Sequence, residues 1–111
     1  MRRDWDKIRA VLRAVEDAPK GRSVGRDDIP GLEADEAVEY FWMLAEAGLV
    51  KGDPKVWPDR LMGLTWAGHD LAEILRKEGF FQQIKDEAKR RGVALTMDAI
   101  GQLARIILGG A

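Results

Sequence analysis

Between Ala34 and Leu64 the chain changes from helical to strand periodicity and folds back on itself within one short stretch. Ala34, Ala37, Val38, Phe41, Leu44 and Ala45 recur at the spacing of one helix face, which predicts an amphipathic helix. Gly48 stands where a left-handed residue would end it. Leu49-Val50-Lys51 then predicts a strand, Gly52 to Asp59 a tip that holds Pro54, Trp57 and Pro58, and Leu61 to Leu64 the returning strand. Thr65 is placed to cap a further helix with Ala67, Leu71, Ile74 and Leu75 inward. Few architectures accommodate a helix, a hairpin and a second helix in so little chain.

The flanking segments narrow the choice. Trp5, Ile8, Val11, Leu12 and Val15 predict a first helix from Asp4 to Asp17, capped by Asp4 and stopped by Pro19 and Gly21. Arg22-Ser23-Val24 reads as a short strand, and Asp27-Asp28-Ile29-Pro30 leaves room for one helical turn at most. Phe80, Phe81, Ile84 and Ala88 mark a helix from Gly79 to Arg91. Thr96 caps a last one with Met97, Ile100, Leu103, Ala104, Ile107 and Leu108 inward, ended by Gly109-Gly110. The fold class that follows is mostly α with a small antiparallel β wing, a winged helix-turn-helix whose second helix is degenerate and which two C-terminal helices extend. At 111 residues the chain reads as a single domain, its core spanning about 4–75 and the helical extension about 76–108.

Chemistry-bearing motifs are scarce. There are no cysteines, which removes disulfides, thiolate metal sites and thiol nucleophiles. No uncharged apolar run reaches the roughly 18 residues of a membrane span, so a soluble, cytoplasmic protein without membrane contact is expected. His69 is the only histidine and cannot build a four-ligand zinc site; a packed histidine at a helix start is the expected role. Asp27 and Asp28 are neighbours in a loop, suited to turn formation and not to acid/base work across a cleft. Ser23 and Thr65 have no histidine within local reach, and neither a phosphate-binding glycine loop nor a nucleophile elbow is present. The reading is therefore no enzyme, no cofactor, no metal and no catalytic residue.

Charge is unevenly distributed. Residues 1–20 carry net +2, residues 21–50 net −5, residues 51–75 net −1 and residues 76–111 net +3. In a winged helix the segment 34–46 would enter the DNA groove. Here it and its approach carry Glu33, Asp35, Glu36, Glu39 and Glu46 without one Lys or Arg. Such a helix forfeits the phosphate attraction that supplies much of DNA affinity. Asp35, Glu36, Glu39 and Trp57 are accordingly the candidate protein-contact residues, Trp57 as an exposed anchor at the wing tip between two prolines. Trp42 and Trp66 are expected to be partly buried. The alternative is a DNA-binding regulator that touches phosphates through Arg2, Arg3, Lys55, Arg60, Lys85, Lys89, Arg90 and Arg91, though a sequence pI of about 5.8 is low for such a footprint.

Three blocks resemble a small family of bacterial and phage-encoded proteins, a domain of unknown function with winged-helix character. They are Met1-Arg2-Arg3-Asp4-Trp5-Asp6-Lys7-Ile8-Arg9, the run from Glu39 to Val50, and Leu64-Thr65-Trp66-Ala67-Gly68-His69-Asp70-Leu71. The chain departs from that family's usual pattern at Phe41, where histidine is common, and at Asp70-Leu71-Ala72-Glu73. The resemblance implies a winged fold and lends no reaction and no ligand; an accessory or anti-host-defence role fits its phage-like side. The expected function is a non-catalytic binding module with a protein partner in preference to DNA. A homodimer through the last helix is expected from Ile106, Ile107 and Leu108.

Overall fold

The computed structural model describes residues 4–19 and 22–108, apart from the side chains of Glu78, Met97 and Leu108. Among them the order is α1 (Trp5–Asp17), β1 (Val24–Gly25), one 3-10 turn (Arg26–Asp28), α2 (Ala34–Glu46), β2 (Val50–Gly52), β3 (Arg60–Leu64), α3 (Trp66–Arg76), α4 (Glu78–Arg91) and α5 (Met97–Leu108). The protein is thus mostly helical with a small three-stranded antiparallel sheet, in the order β1-β3-β2. It divides into two compact units, Met1–Ala72 and Glu73–Ala111, with the division inside α3.

In the first unit the Asp4 carboxylate caps α1 by accepting from the N–H groups of Asp6 at 2.9 Å and Lys7 at 3.4 Å. Trp5, Ile8, Val11, Leu12 and Val15 are buried along one face, as their spacing predicts. The buried arc of α2 is Ala37, Tyr40, Phe41 and Leu44. Ala34, Val38 and Ala45, expected inward, are only half-buried because Tyr40 completes the i, i+3, i+4, i+7 set and centres the arc on itself and Phe41. Gly48 takes φ 74°. It ends α2 with paired bonds, Gly48 N–H to Ala45 O at 3.0 Å and Leu49 N–H to Leu44 O at 2.9 Å, so orphan carbonyls of the last turn are satisfied.

The sheet differs from expectation in position and in phase. β1 covers Val24–Gly25 and not Arg22–Val24, because Val24 is the residue that meets Leu61 across the ladder. Lys51 pairs with Gly63 but Gly52 pairs with Leu61, which leaves Met62 as an extra residue in β3. This bulge lets Leu61 and Leu64 both face the core, although residues three apart on a regular strand point to opposite sides. Met62 itself is 59% exposed.

Thr65 joins the end of α2 to the start of α3. Its hydroxyl donates to Gly48 O at 2.6 Å and accepts from Gly68 N–H at 3.0 Å, while its own N–H donates to Leu49 O at 3.0 Å. The buried residues here are Gly68, Leu71 and Ala72. Ala67, expected inward, is exposed, because α3 approaches Leu49 through Gly68 and the neighbouring position turns outward.

In the second unit α4 and α5 pack against each other, with Phe81, Ile84 and Ala88 buried from one and Ile100, Leu103 and Ala104 from the other. Leu75 is buried, whereas Ile74, also expected inward, is half-buried. Gly92, at φ 69°, ends α4 after its basic last turn. The Thr96 hydroxyl caps α5 by accepting from Ala99 N–H at 3.1 Å. Ile106 and Ile107 are half-buried on α5, and Leu108 lies among the side chains outside the described set. None of the described helices is long and apolar enough to cross a membrane.

Candidate functional site

The outward face of α2 is defined by helical spacing. Asp35, Glu39, Trp42 and Glu46 follow at i, i+4, i+7 and i+11, and all four are exposed. Trp42 is 46% exposed. The Trp57 ring meets it edge to face, with centroids 5.0 Å apart and planes at 74°. The described ion pairs and side-chain hydrogen bonds do not engage Asp35, Glu39 or Glu46.

Trp57 does not stand out from the wing as its position between prolines suggests. It is half-buried and lies back over β2. A β-carbon on Gly52 would come within 2.1 Å of the indole, so the missing side chain at Gly52 is what makes room for the ring. The wing turn is held by its own backbone, with Val56 N–H on Asp53 O at 3.2 Å, Asp59 N–H on Val56 O at 2.8 Å and Asp53 N–H on Arg60 O at 3.0 Å. Of this tryptophan pair the exposed one is therefore Trp42, the residue that its place beside the apolar stripe assigned to partial burial. Its spacing from Glu39 and Glu46 was the available signal, since a tryptophan at i+3 and i−4 from carboxylates shares their solvated face.

Glu36 is oriented differently. Its carboxylate accepts from Lys7 Nζ of α1, and both side chains are about one-third exposed. That bond holds the Lys7 ammonium above its usual pKa, with partial burial opposing it. Glu36 thus joins α1 to α2, and Asp35 and Glu39 remain with Trp42 on the outer face.

Several of the residues considered for phosphate contact are engaged by other side chains. Arg2 and Arg3 lie outside the described residues. Arg60 donates from Nε to Ser23 Oγ at 2.6 Å and from Nη2 to Ser23 O at 2.9 Å, and reaches Asp28 Oδ2 at 3.8 Å, so it ties β3 to the residue before β1 and to the turn after it. Lys85 Nζ lies 4.7 Å from the Phe81 ring centroid. Arg90 and Arg91 both bind Glu87, Arg90 through two nitrogens and Arg91 from Nε at 2.9 Å. Lys55 and Lys89 are exposed.

The hydrogen bonds from Arg90, then those from Arg91, hold the Glu87 carboxyl below its usual pKa, and Glu87 in turn raises that of Arg90. A lowered folded pKa stabilises the fold fully above the unfolded carboxylate value and ceases to do so as pH falls through the folded value. Glu87→Gln is expected to flatten the acid limb of a plot of melting temperature against pH, with a small effect because the group is solvated. An unchanged acid limb would show that the cluster contributes no pH-dependent stability.

His69 is exposed on α3, a correction to the packed position expected for it: the neighbouring Gly68 faces the core and directs the next residue outward. Trp66, also expected to be partly buried, is 88% exposed because it opens α3 on the side away from Gly68 and Leu71. Asp28 serves the turn, accepting from Gly25 N–H at 2.8 Å, and Asp27 is exposed. Among the described residues no group of three or more His, Asp or Glu side chains could hold a metal ion.

Comparison with known proteins places residues 2–94 in a match to the family described as "Hypothetical protein (DUF2513)". A protein of Haemophilus influenzae (strain ATCC 51907 / DSM 11121 / KW20 / Rd), described as uncharacterized, is 30% identical over 115 residues, across 97% of this chain and 96% of that protein. No solved structure matches the chain.

Proposed function

The chain belongs to the DUF2513 family, and from that premise we propose that it is a non-catalytic, cytoplasmic binding module on a winged helix-turn-helix scaffold, acting through protein contacts. The element order supports the scaffold: helix, short strand, one helical turn, helix, then a two-stranded wing. In that scheme α2 occupies the groove-reading position and the turn from Asp53 to Asp59 the tip of the wing.

One observation carries the protein-contact reading. The solvent face of α2 presents Asp35, Glu39 and Glu46 around Trp42, with Trp57 braced against it. Carboxylates at this position would repel a polyanion, and of the cations on β2, the wing and β3, Arg60 is spent on Ser23 and Asp28, which leaves Lys51 and Lys55 exposed against three carboxylates. The same arrangement suits a protein partner, because aromatic anchors with a charged rim give contact area and steer association through complementary potential.

Titration of the full chain with random-sequence duplex DNA at low and moderate salt tests the choice. The expected result is no measurable binding even at low salt. Tight binding with a steep salt slope would replace this reading with that of a DNA-binding regulator.

A further inference from the structure

Resting on that reading, we propose that the occupant of this surface is an arginine-bearing protein segment, taken up by stacking a guanidinium on Trp42 while carboxylates one helical turn to either side hold it. Trp42 is unusual among the exposed side chains in being both accessible and braced. The edge-to-face contact with Trp57 fixes its ring, and Trp57 is itself seated on Gly52. A positioned aromatic loses little rotamer freedom when a ligand arrives.

The charges around Trp42 specify the ligand further. Glu39 and Glu46 lie three residues before it and four after it, where Cβ atoms on a helix face are about 5–6 Å apart. Asp35 extends the row by another turn, so the stripe runs about 16 Å along α2. A guanidinium is flat, stacks on an indole and still offers in-plane N–H groups to a carboxylate at the ring's edge. An ammonium is compact and strongly hydrated, so it satisfies the carboxylates but gains less from the ring. Nucleic-acid bases also stack on tryptophan, but their phosphates would meet the three carboxylates. The surface therefore distinguishes arginine from lysine and peptide from nucleic acid.

The test is fluorescence anisotropy of labelled nona-arginine and nona-lysine peptides titrated with the full chain at low ionic strength. Nona-arginine is expected to bind about 5-fold more tightly than nona-lysine. Trp42→Leu, which keeps apolar bulk and removes the ring, should abolish that preference by weakening nona-arginine far more than nona-lysine. Joint replacement Glu39→Gln and Glu46→Gln, at two solvated positions that the fold does not depend on, should weaken both peptides together. Equal affinity of the wild-type chain for the two peptides, survival of the preference in Trp42→Leu, or unchanged binding in the double variant would each overturn the proposal. So would a homodimer by sedimentation that Glu39→Lys dissociates, which would assign the face to a second copy. Failure of nona-arginine to bind overturns this proposal and, while duplex DNA also fails to bind, leaves the protein-contact reading in place, whereas tight duplex binding removes both.

Discussion

Replacing Phe41 by alanine is expected to lower the stability of the fold by about 3–5 kcal/mol, the usual cost of truncating a buried aromatic. Phe41 is fully buried on α2 between Ala37 and Leu44. Its loss removes apolar burial and leaves a cavity that α2, bound to α1 through Glu36 and Lys7 and to Leu49 by its C-terminal bonds, cannot readily collapse to fill. Against a total stability of about 5–15 kcal/mol, that is a large fraction. Urea unfolding followed by far-ultraviolet circular dichroism measures it. A loss below about 1 kcal/mol would mean that the site relaxes and that Phe41 is not central to the core.

Gly68→Ala should have the second large effect, for a reason opposite in kind. A β-carbon at this position would sit 1.9 Å from Leu49 O and 3.0 Å from its carbonyl carbon. Those are backbone atoms, so no rotamer change relieves the overlap. Moving α3 away would also stretch the bond from Thr65 N–H to the same Leu49 oxygen, now 3.0 Å. Overpacking of this sort costs about 1–3 kcal/mol, to which about 1 kcal/mol is added for the weakened hydrogen bond. The control is Gly101→Ala in α5, where an added β-carbon meets nothing within 4 Å. There alanine should stabilise by about 0.5–1 kcal/mol through helix propensity. Melting temperatures that shift in opposite directions would bear out the distinction; a fall at both sites or at neither would refute it.

These two residues show what the chain reveals by local pattern and what it conceals. Phe41 belongs to a periodic stripe, and helical periodicity alone is enough to place it inward. The caps were legible for the same reason: Asp4, Thr65 and Thr96 are helix-starting residues, and Gly48 and Gly92 helix-ending ones, by their local chemistry. Gly68 carries no such mark. A glycine in the first turn of a helix looks like a mild defect until a carbonyl from a segment nearly twenty residues earlier is found against it.

The surface divides in the same way. The deficit of cations over residues 21–50 is a property of composition, and no folding is needed to see that this segment would repel phosphate. Which carboxylates remain outward is a different matter. Glu36 is taken by Lys7 across two helices, and Asp35, Glu39 and Glu46 are left to Trp42. The exchange of roles between the two tryptophans is likewise non-local. Trp57 turns in because Gly52 leaves a gap on the strand beside it, and Trp42 stays out as part of the carboxylate face.

Local order, helix boundaries and the acidic character of α2 were thus determined by the chain itself, since capping, turn formation and periodic burial depend on neighbours within a few residues. The bulge at Met62, the inward turn of Gly68 and the Trp42–Trp57 contact were decided only by tertiary structure. Each arises where two segments distant in sequence compete for the same space, and steric exclusion between them has no trace in either segment alone.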